Sequence, residues 1–443
     1  MTVLKQICLL VMACALAGVA CLLPASADEI GLSPKERLGK ALFEDPELSS
    51  RRNQACVFCH APDAGFSSPR DEINAGGAVM EGSTPGRFGN SKPPSAAYAA
   101  QSPVLYHAYD KGELLFIGGA FWNGRASGRR LGRPVADQAQ VPFLDPNEMA
   151  LPDGACVVQR VCNPASPGHY PVKLTDVWGK AICQIELPSG LDRQCADPKA
   201  KIALKKETRE KVELAFDKIA LAIAAYEASH EVNAFSSKFD FVQAGKAKFS
   251  PQEALGLELF MGKGLCANCH LLDGDAAGGP PLLTDFTYDN LGVPRNPANP
   301  FFENARSNKL GRDWVEQGLK AYLETDPLYR SSAPGQLGKV KVPTLRNVDK
   351  RPAPDFVKAF MHNGYFKTLK GVVNFYNTRD VKPRCPAPDA SEAEALAQKC
   401  WPAPEVSENL NKDEMGDLKL TGPEEDAIVA FMKTLTDGYR PPE

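Results

Sequence analysis

Two five-residue phrases constrain this chain more than anything else in it: Cys56-Val57-Phe58-Cys59-His60 and Cys266-Ala267-Asn268-Cys269-His270. Two thiols three positions apart can add to the two vinyl groups along one edge of a haem, and the adjacent histidine then reaches the iron. Two such motifs in a chain with only 6 histidines predict two covalently bound haems c. Cys56, Cys59, Cys266 and Cys269 are the attachment points, and His60 and His270 the iron ligands. The alternative is one four-cysteine zinc site assembled from both pairs; it leaves both trailing histidines without a task.

The N-terminus says where such a protein works. Lys5 precedes an apolar run from Ile7 to Leu23 that closes on Ala25-Ser26-Ala27 before Asp28-Glu29, the layout of a secretory signal peptide with a small-residue cleavage site. Residues 1–27 are read as that signal, the mature chain starts near Asp28, and the expected location is the periplasm. The run is short for a membrane anchor, Cys21 sits in poor context for a lipid anchor, and nothing later could span a bilayer. Cysteine usage agrees. Of 13 cysteines, three fall in the signal and four in the motifs, leaving Cys156, Cys162, Cys183, Cys195, Cys385 and Cys400. An even remainder in an oxidising compartment reads as three disulfides. Cys385 and Cys400 flank one proline-rich loop and are expected to pair; the other four allow three pairings, which the sequence leaves open. The net charge of −3 carries no nucleic-acid footprint.

The chain repeats itself. Ser33-Pro34-Lys35-Glu36 opens into Leu38-Gly39-Lys40-Ala41-Leu42-Phe43, and Ser250-Pro251-Gln252-Glu253 into Leu255-Gly256-Leu257-Glu258-Leu259-Phe260. Each reads as a capping box with proline at the first helical position, leading into a helix with an apolar face. Each half also ends in a strong helix, Arg209 to Ser229 in the first and one capped by Thr421-Gly422-Pro423-Glu424 in the second. Stretches 61–95, 145–198 and 273–299 are rich in Gly, Pro, Asn and Asp and read as loops. The expected architecture is mainly α with little β-structure: two cytochrome c-like domains in tandem, residues 28–240 and 241–443, with long loops wrapped on haem.

Three further stretches carry a family resemblance: Phe121-Trp122-Asn123-Gly124-Arg125-Ala126; Gln138-Ala139-Gln140-Val141-Pro142 followed by Asp145-Pro146-Asn147-Glu148-Met149; and Val342-Pro343-Thr344-Leu345-Arg346-Asn347 running on to His362-Asn363-Gly364 and Thr368-Leu369. In this order they resemble the bacterial di-haem cytochrome c peroxidase family, which includes MauG. The resemblance implies a peroxide-reactive haem on His60 and an electron-transfer haem on His270. It implies catalytic roles for Glu148 as proton shuttle, Gln138 as a distal-pocket group, Pro142 as pocket wall and Trp122 as the indole between the haems. Hydrogen peroxide is then the substrate. The electrons come from a small periplasmic donor protein, as in peroxidase action, or from a protein substrate, as in MauG-like oxidation.

Departures from the family pattern sharpen the reading. No histidine follows His60 before His107; the stretch offers Met80 as an alternative sixth ligand, and otherwise the first haem is open at rest. His107 and His169 are taken as structural or surface residues. Registering Gly364, Thr368 and Leu369 on the family phrase puts Tyr376 where the peroxidases have methionine and MauG has tyrosine, so Tyr376 is the expected second ligand of the His270 haem, with Met361 as substitute. A phenolate stabilises oxidised iron, whereas a thioether favours the ferrous state. An Arg- and Gly-rich insertion between Arg125 and Gln138 would reshape the entrance to the first haem. The family's bridging calcium would need asparagine where Lys92 sits; Asn90 is the possible replacement. The competing class is a non-enzymatic di-haem electron carrier, which has no use for Glu148 and Gln138.

Overall fold

The computed structural model describes residues 31–166, 168, 170–274 and 278–441; the expected signal peptide and His169 lie outside them. Seven helices matter for the site: α1 (Pro34–Glu44), α2 (Pro134–Ala139), α3 (Gly154–Val161), α4 (Lys206–Glu227), α5 (Pro251–Met261), α6 (Leu369–Thr378) and α7 (Gly422–Lys433). Strand is confined, among the described residues, to two antiparallel pairs. β1 (Tyr106–Asp110) pairs with β2 (Glu113–Ile117), and the two-residue β3 (Tyr288–Asp289) with β4 (Val340–Lys341). The β1–β2 turn places Lys111 and Gly112 at φ 48° and 89°, the left-handed pair that a tight hairpin requires.

The repeated phrase becomes a repeated helix crossing. In α5 the Ser250 hydroxyl accepts from the Glu253 N–H while the Glu253 carboxylate accepts from the Ser250 N–H, and Thr421 and Glu424 cap α7 in the same way. Helix α1 packs on α4 and α5 on α7. A glycine sits at each crossing, and it has to. A Cβ on Gly39 would lie 2.0 Å from the Ala222 carbonyl oxygen, and one on Gly256 1.9 Å from that of Ala427. Two buried clusters grow around these crossings. One includes Leu38, Leu42, Phe43, Phe143, Phe216 and Ile223; the other Phe260, Phe366, Phe375, Ile428 and Phe431. Between them Arg346, fully buried, makes a two-pronged ion pair to Asp240 at 2.9 and 3.0 Å and stacks on Tyr98 and Phe235.

Two expectations change. Helix α4 starts at Lys206 rather than Arg209, because Lys206, Glu207 and Thr208 continue the helical phase without a breaker. The stretch 145–198 is more than loop: it holds α3, Tyr170–Trp178 and Leu191–Cys195. Its Gly, Pro and Asn residues delimit short helices instead of replacing them. Disulfides Cys156–Cys195 and Cys162–Cys183 staple these helices together, which selects one of the three pairings, and Cys385 bonds Cys400 as expected. No helix among the described residues is long and apolar enough to cross a membrane.

Candidate active site

Each Cys-x-x-Cys-His phrase follows the first helix of its repeat and turns into a cavity. The first cavity, about 230 Å³, is lined by Cys56, Cys59 and His60; the second, about 190 Å³, by Cys266, Cys269 and His270. The cysteine pairs face different cavities, so they cannot form one zinc site, and among the described residues no group of three or more His, Cys, Asp or Glu side chains could hold a metal ion. All four thiols are free. Burial is the main cause that pushes them above their ordinary pKa, to about 12 for Cys59 and Cys266.

The histidines are held ready as ligands. His60 Nδ1 lies 3.1 Å from the Phe66 carbonyl oxygen and His270 Nδ1 2.8 Å from that of Leu283. A carbonyl only accepts, so each Nδ1 carries the proton and each Nε2 keeps its lone pair for a metal. Burial holds both imidazoles neutral, with pKa values lowered to about 4. Two free thiols, a tautomer-fixed histidine and an apolar cavity in each half fit a haem c in each.

The other predicted residues divide between the cavities. Gln138, on α2, Pro142 and Glu148 line the first, as does Met80, whose sulfur accepts a hydrogen bond from Ser68 at 3.5 Å. Glu148 is half-buried. Burial, with help from Asp145, raises its pKa to about 7, and Arg125 opposes the shift. Tyr376, on α6, lines the second cavity with Met361. Burial drives its phenol upward, and Cys266, Cys269 and Asp289 add to the shift. Trp122 lines both cavities. Its indole N–H donates to the Lys92 carbonyl at 2.7 Å, and its ring meets His362 edge-on at 6.4 Å. His107 stays outside both, in a ring cluster with Phe116 and Tyr329. The arginine-rich insertion is anchored: Arg129 pairs with Asp326 at 2.6 Å and Arg130 with Asp217 at 2.7 Å.

Sequence reasoning missed several cavity residues. Glu227 ends α4, is 5 % exposed, lines the first cavity, and its Oε2 has no hydrogen-bond partner. Burial raises its pKa to about 8. Its signal was present: it is an acid in helical phase with Phe216, Ala220 and Ile223, on the apolar stripe. Asp289 and Glu414 line the second cavity. No local pattern marks them, because β3 and the 411–418 loop meet only in the folded chain.

Comparison with known proteins follows the same lines. The chain is 34 % identical over 435 residues to the methylamine utilization protein MauG of Paracoccus denitrificans, covering 95 % of this chain and 94 % of that protein. The chain belongs to the di-haem cytochrome c peroxidase and MauG family. The family model for di-haem cytochrome c peroxidase matches residues 33–248. The cytochrome-c peroxidase IdrP1 of Denitromonas iodatirespirans is 24 % identical over 366 residues, covering 80 % of this chain and 75 % of that protein. Among solved structures, the diheme peroxidase BthA of Burkholderia thailandensis superposes with a TM-score of 0.67 at 28 % identity, covering 92 % of this chain and 89 % of that one. As a member of the di-haem peroxidase family the chain is a haem-dependent oxidoreductase that uses two haems.

Proposed function

We propose that this protein is an exported, periplasmic di-haem c-type peroxidase in which peroxide reacts at the His60 haem and oxidising equivalents pass through Trp122 to the His270 haem. The carrying observation is an asymmetry: Gln138 and Glu148 line only the first cavity, Tyr376 only the second, and Trp122 both. We read residues 28–240 and 241–443 as the two haem domains and 1–27 as the signal that directs export.

The haem on His60 would supply an open iron position and the electrons consumed in O–O cleavage. What the chain adds is proton management. Glu148 as carboxylate takes the proton from the inner peroxide oxygen and returns it to the outer one, which leaves as water. Gln138 can orient the bound peroxide by hydrogen bonding, and Pro142 keeps that wall apolar. Arg125, beside Glu148, offsets its negative charge. In the second cavity burial keeps Tyr376 protonated unless a strong cation at its oxygen displaces the proton; as a phenolate it would stabilise oxidised iron. That favours MauG-like sharing of oxidising equivalents over acceptance of electrons from a modest donor. The final reductant is a small electron-donor protein or a residue on a protein substrate.

Adding stoichiometric hydrogen peroxide to the all-ferric protein and recording optical and spin-resonance spectra tests this reading. A long-lived oxidised pair supports it. A reaction only after one haem is reduced makes the protein a conventional peroxidase, and inertness in every oxidation state leaves the electron carrier. Trp122→Phe should slow haem-to-haem transfer with both haem spectra intact; unchanged transfer removes the relay.

A further inference from the structure

We propose that the Lys92 ammonium is a built-in cation between the two haem cavities and that it stands in place of a calcium ion. The proposal rests on the reading of both cavities as haem sites. Lys92 is 8 % exposed and lines both cavities. Three bonds fix it. Its backbone N–H donates to the His362 carbonyl at 2.8 Å, its own carbonyl accepts the Trp122 indole N–H, and its Nζ donates to the Pro93 carbonyl at 3.1 Å. Nζ lies 5.9 Å from the centre of the Trp122 ring. Burial, aided by Lys367, lowers its pKa to about 8, which leaves it mostly charged at neutral pH.

The nearby carboxylate and one nearby backbone carbonyl that calcium could use are engaged elsewhere. Calcium takes six to eight oxygens, several of them anionic. Asn90, the candidate replacement ligand, is turned to the acid nearby: its side-chain N–H donates to Glu316 at 3.3 Å, and its backbone carbonyl accepts from Asn299 at 2.8 Å. Glu316, the acid nearby, is held by Asn90, Ser91 and the Gly318 N–H. A divalent ion here would also face the ammonium itself, and like charges in a poorly solvated place repel strongly.

A fixed positive charge at this point has two consequences. It favours the reduced state of both haems, since reduction adds negative charge within its reach. It also opposes positive charge on the indole, so a hole crossing Trp122 is passed on rather than kept there.

The test uses the haem-loaded protein, with covalent attachment of both haems first established from the alkaline pyridine spectrum; a missing haem refutes the underlying reading, not this proposal. Atomic emission should then find far less than one calcium per chain, and EGTA should leave the optical and spin-resonance signals of both haems unchanged. In redox titration Lys92→Met should lower both midpoint potentials while Lys92→Arg preserves them. Stoichiometric calcium whose removal shifts the haem signals overturns the proposal, as do unchanged potentials in a Lys92→Met protein that carries both haems. The calcium and EGTA measurements need no variant and decide the matter even if Lys92→Met fails to fold.

Discussion

Replacing Glu148 with glutamine tests the proton-transfer step proposed for it. The folded chain raises this carboxyl from 4.5 to about 7, chiefly by burial. With that value the ionised fraction is about 3 % at pH 5.5, about 50 % at pH 7 and about 90 % at pH 8. If the carboxylate is the group that takes the peroxide proton, the second-order rate of the peroxide reaction should rise roughly 15-fold between pH 5.5 and 7 and level off above pH 8. Glu148→Gln has no basic form. It should lower the plateau about 10²- to 10⁴-fold and flatten the profile, with haem content unchanged. Stopped-flow mixing of ferric protein with peroxide across this pH range measures both quantities. A glutamine variant that keeps the rise between pH 5.5 and 7 would refute the assignment, because the titrating group would then lie elsewhere.

Other outcomes follow from burial and packing. Glu227 has a folded pKa raised to about 8 from 4.5. The folded state therefore binds the extra proton between those values, and stability falls as pH rises through that window. Glu227→Gln should match the parent near pH 5 and exceed it at pH 9 by on the order of 4 kcal/mol; equal urea midpoints at pH 9 would count against the unpartnered carboxylate. At the helix crossings, Gly39→Ala and Gly256→Ala each force a methyl into a carbonyl oxygen, at 2.0 and 1.9 Å. Each should cost about 1–3 kcal/mol or more. Gly39→Ala should disturb the spectrum of the His60 haem first and Gly256→Ala that of the His270 haem. The reverse order would mean that the crossings do not support their own haems.

The parts legible in sequence were those fixed by local covalent or backbone geometry. Thiol and imidazole spacing announces a candidate haem site whatever the fold around it, and the Ser-Pro-x-Glu phrase announces a helix start because the capping box is closed within four residues. The glycine of each repeat was visible, but its reason was not: the partner atoms, in Ala222 and Ala427, lie more than 170 positions away. Disulfide connectivity failed for the same cause: loop length does not pick out the pairing of Cys156, Cys162, Cys183 and Cys195, and only the packing of α3 against its neighbours selects one. The helices within 145–198 were masked because their hydrophobic period is interrupted every few residues by Gly, Pro or Asn. Lys92 was seen as a departure from a family pattern, but what occupies its surroundings is set by Trp122, His362 and Glu316, from three distant segments.

Those distant segments also give the two cavities different electrostatics. The first holds Arg125 against Glu148 and Glu227; the second has Asp289 and Glu414 beside Tyr376; Lys92 and Lys341 line both. Glu414 Oε2 lies 3.9 Å from the Cys269 sulfur and is held by Asn411 at 2.7 Å, so its position beside the Cys269 thiol is fixed. A unit charge about 9 Å from a redox centre, at an effective dielectric of about 20, is worth about 2 kcal/mol, or roughly 80 mV. Ionised, Glu414 would stabilise the oxidised state of a haem in the second cavity by an amount of that order, in the same direction as a phenolate from Tyr376 would. Glu414→Gln should therefore raise the midpoint potential of the second haem by tens of millivolts and leave the first almost unmoved. Equal shifts at both haems would show that the charge acts through the whole molecule, and no shift would refute a contribution from Glu414. A selective rise would mean that the second haem owes its preference for the oxidised state to the cavity as a whole and not to Tyr376 alone.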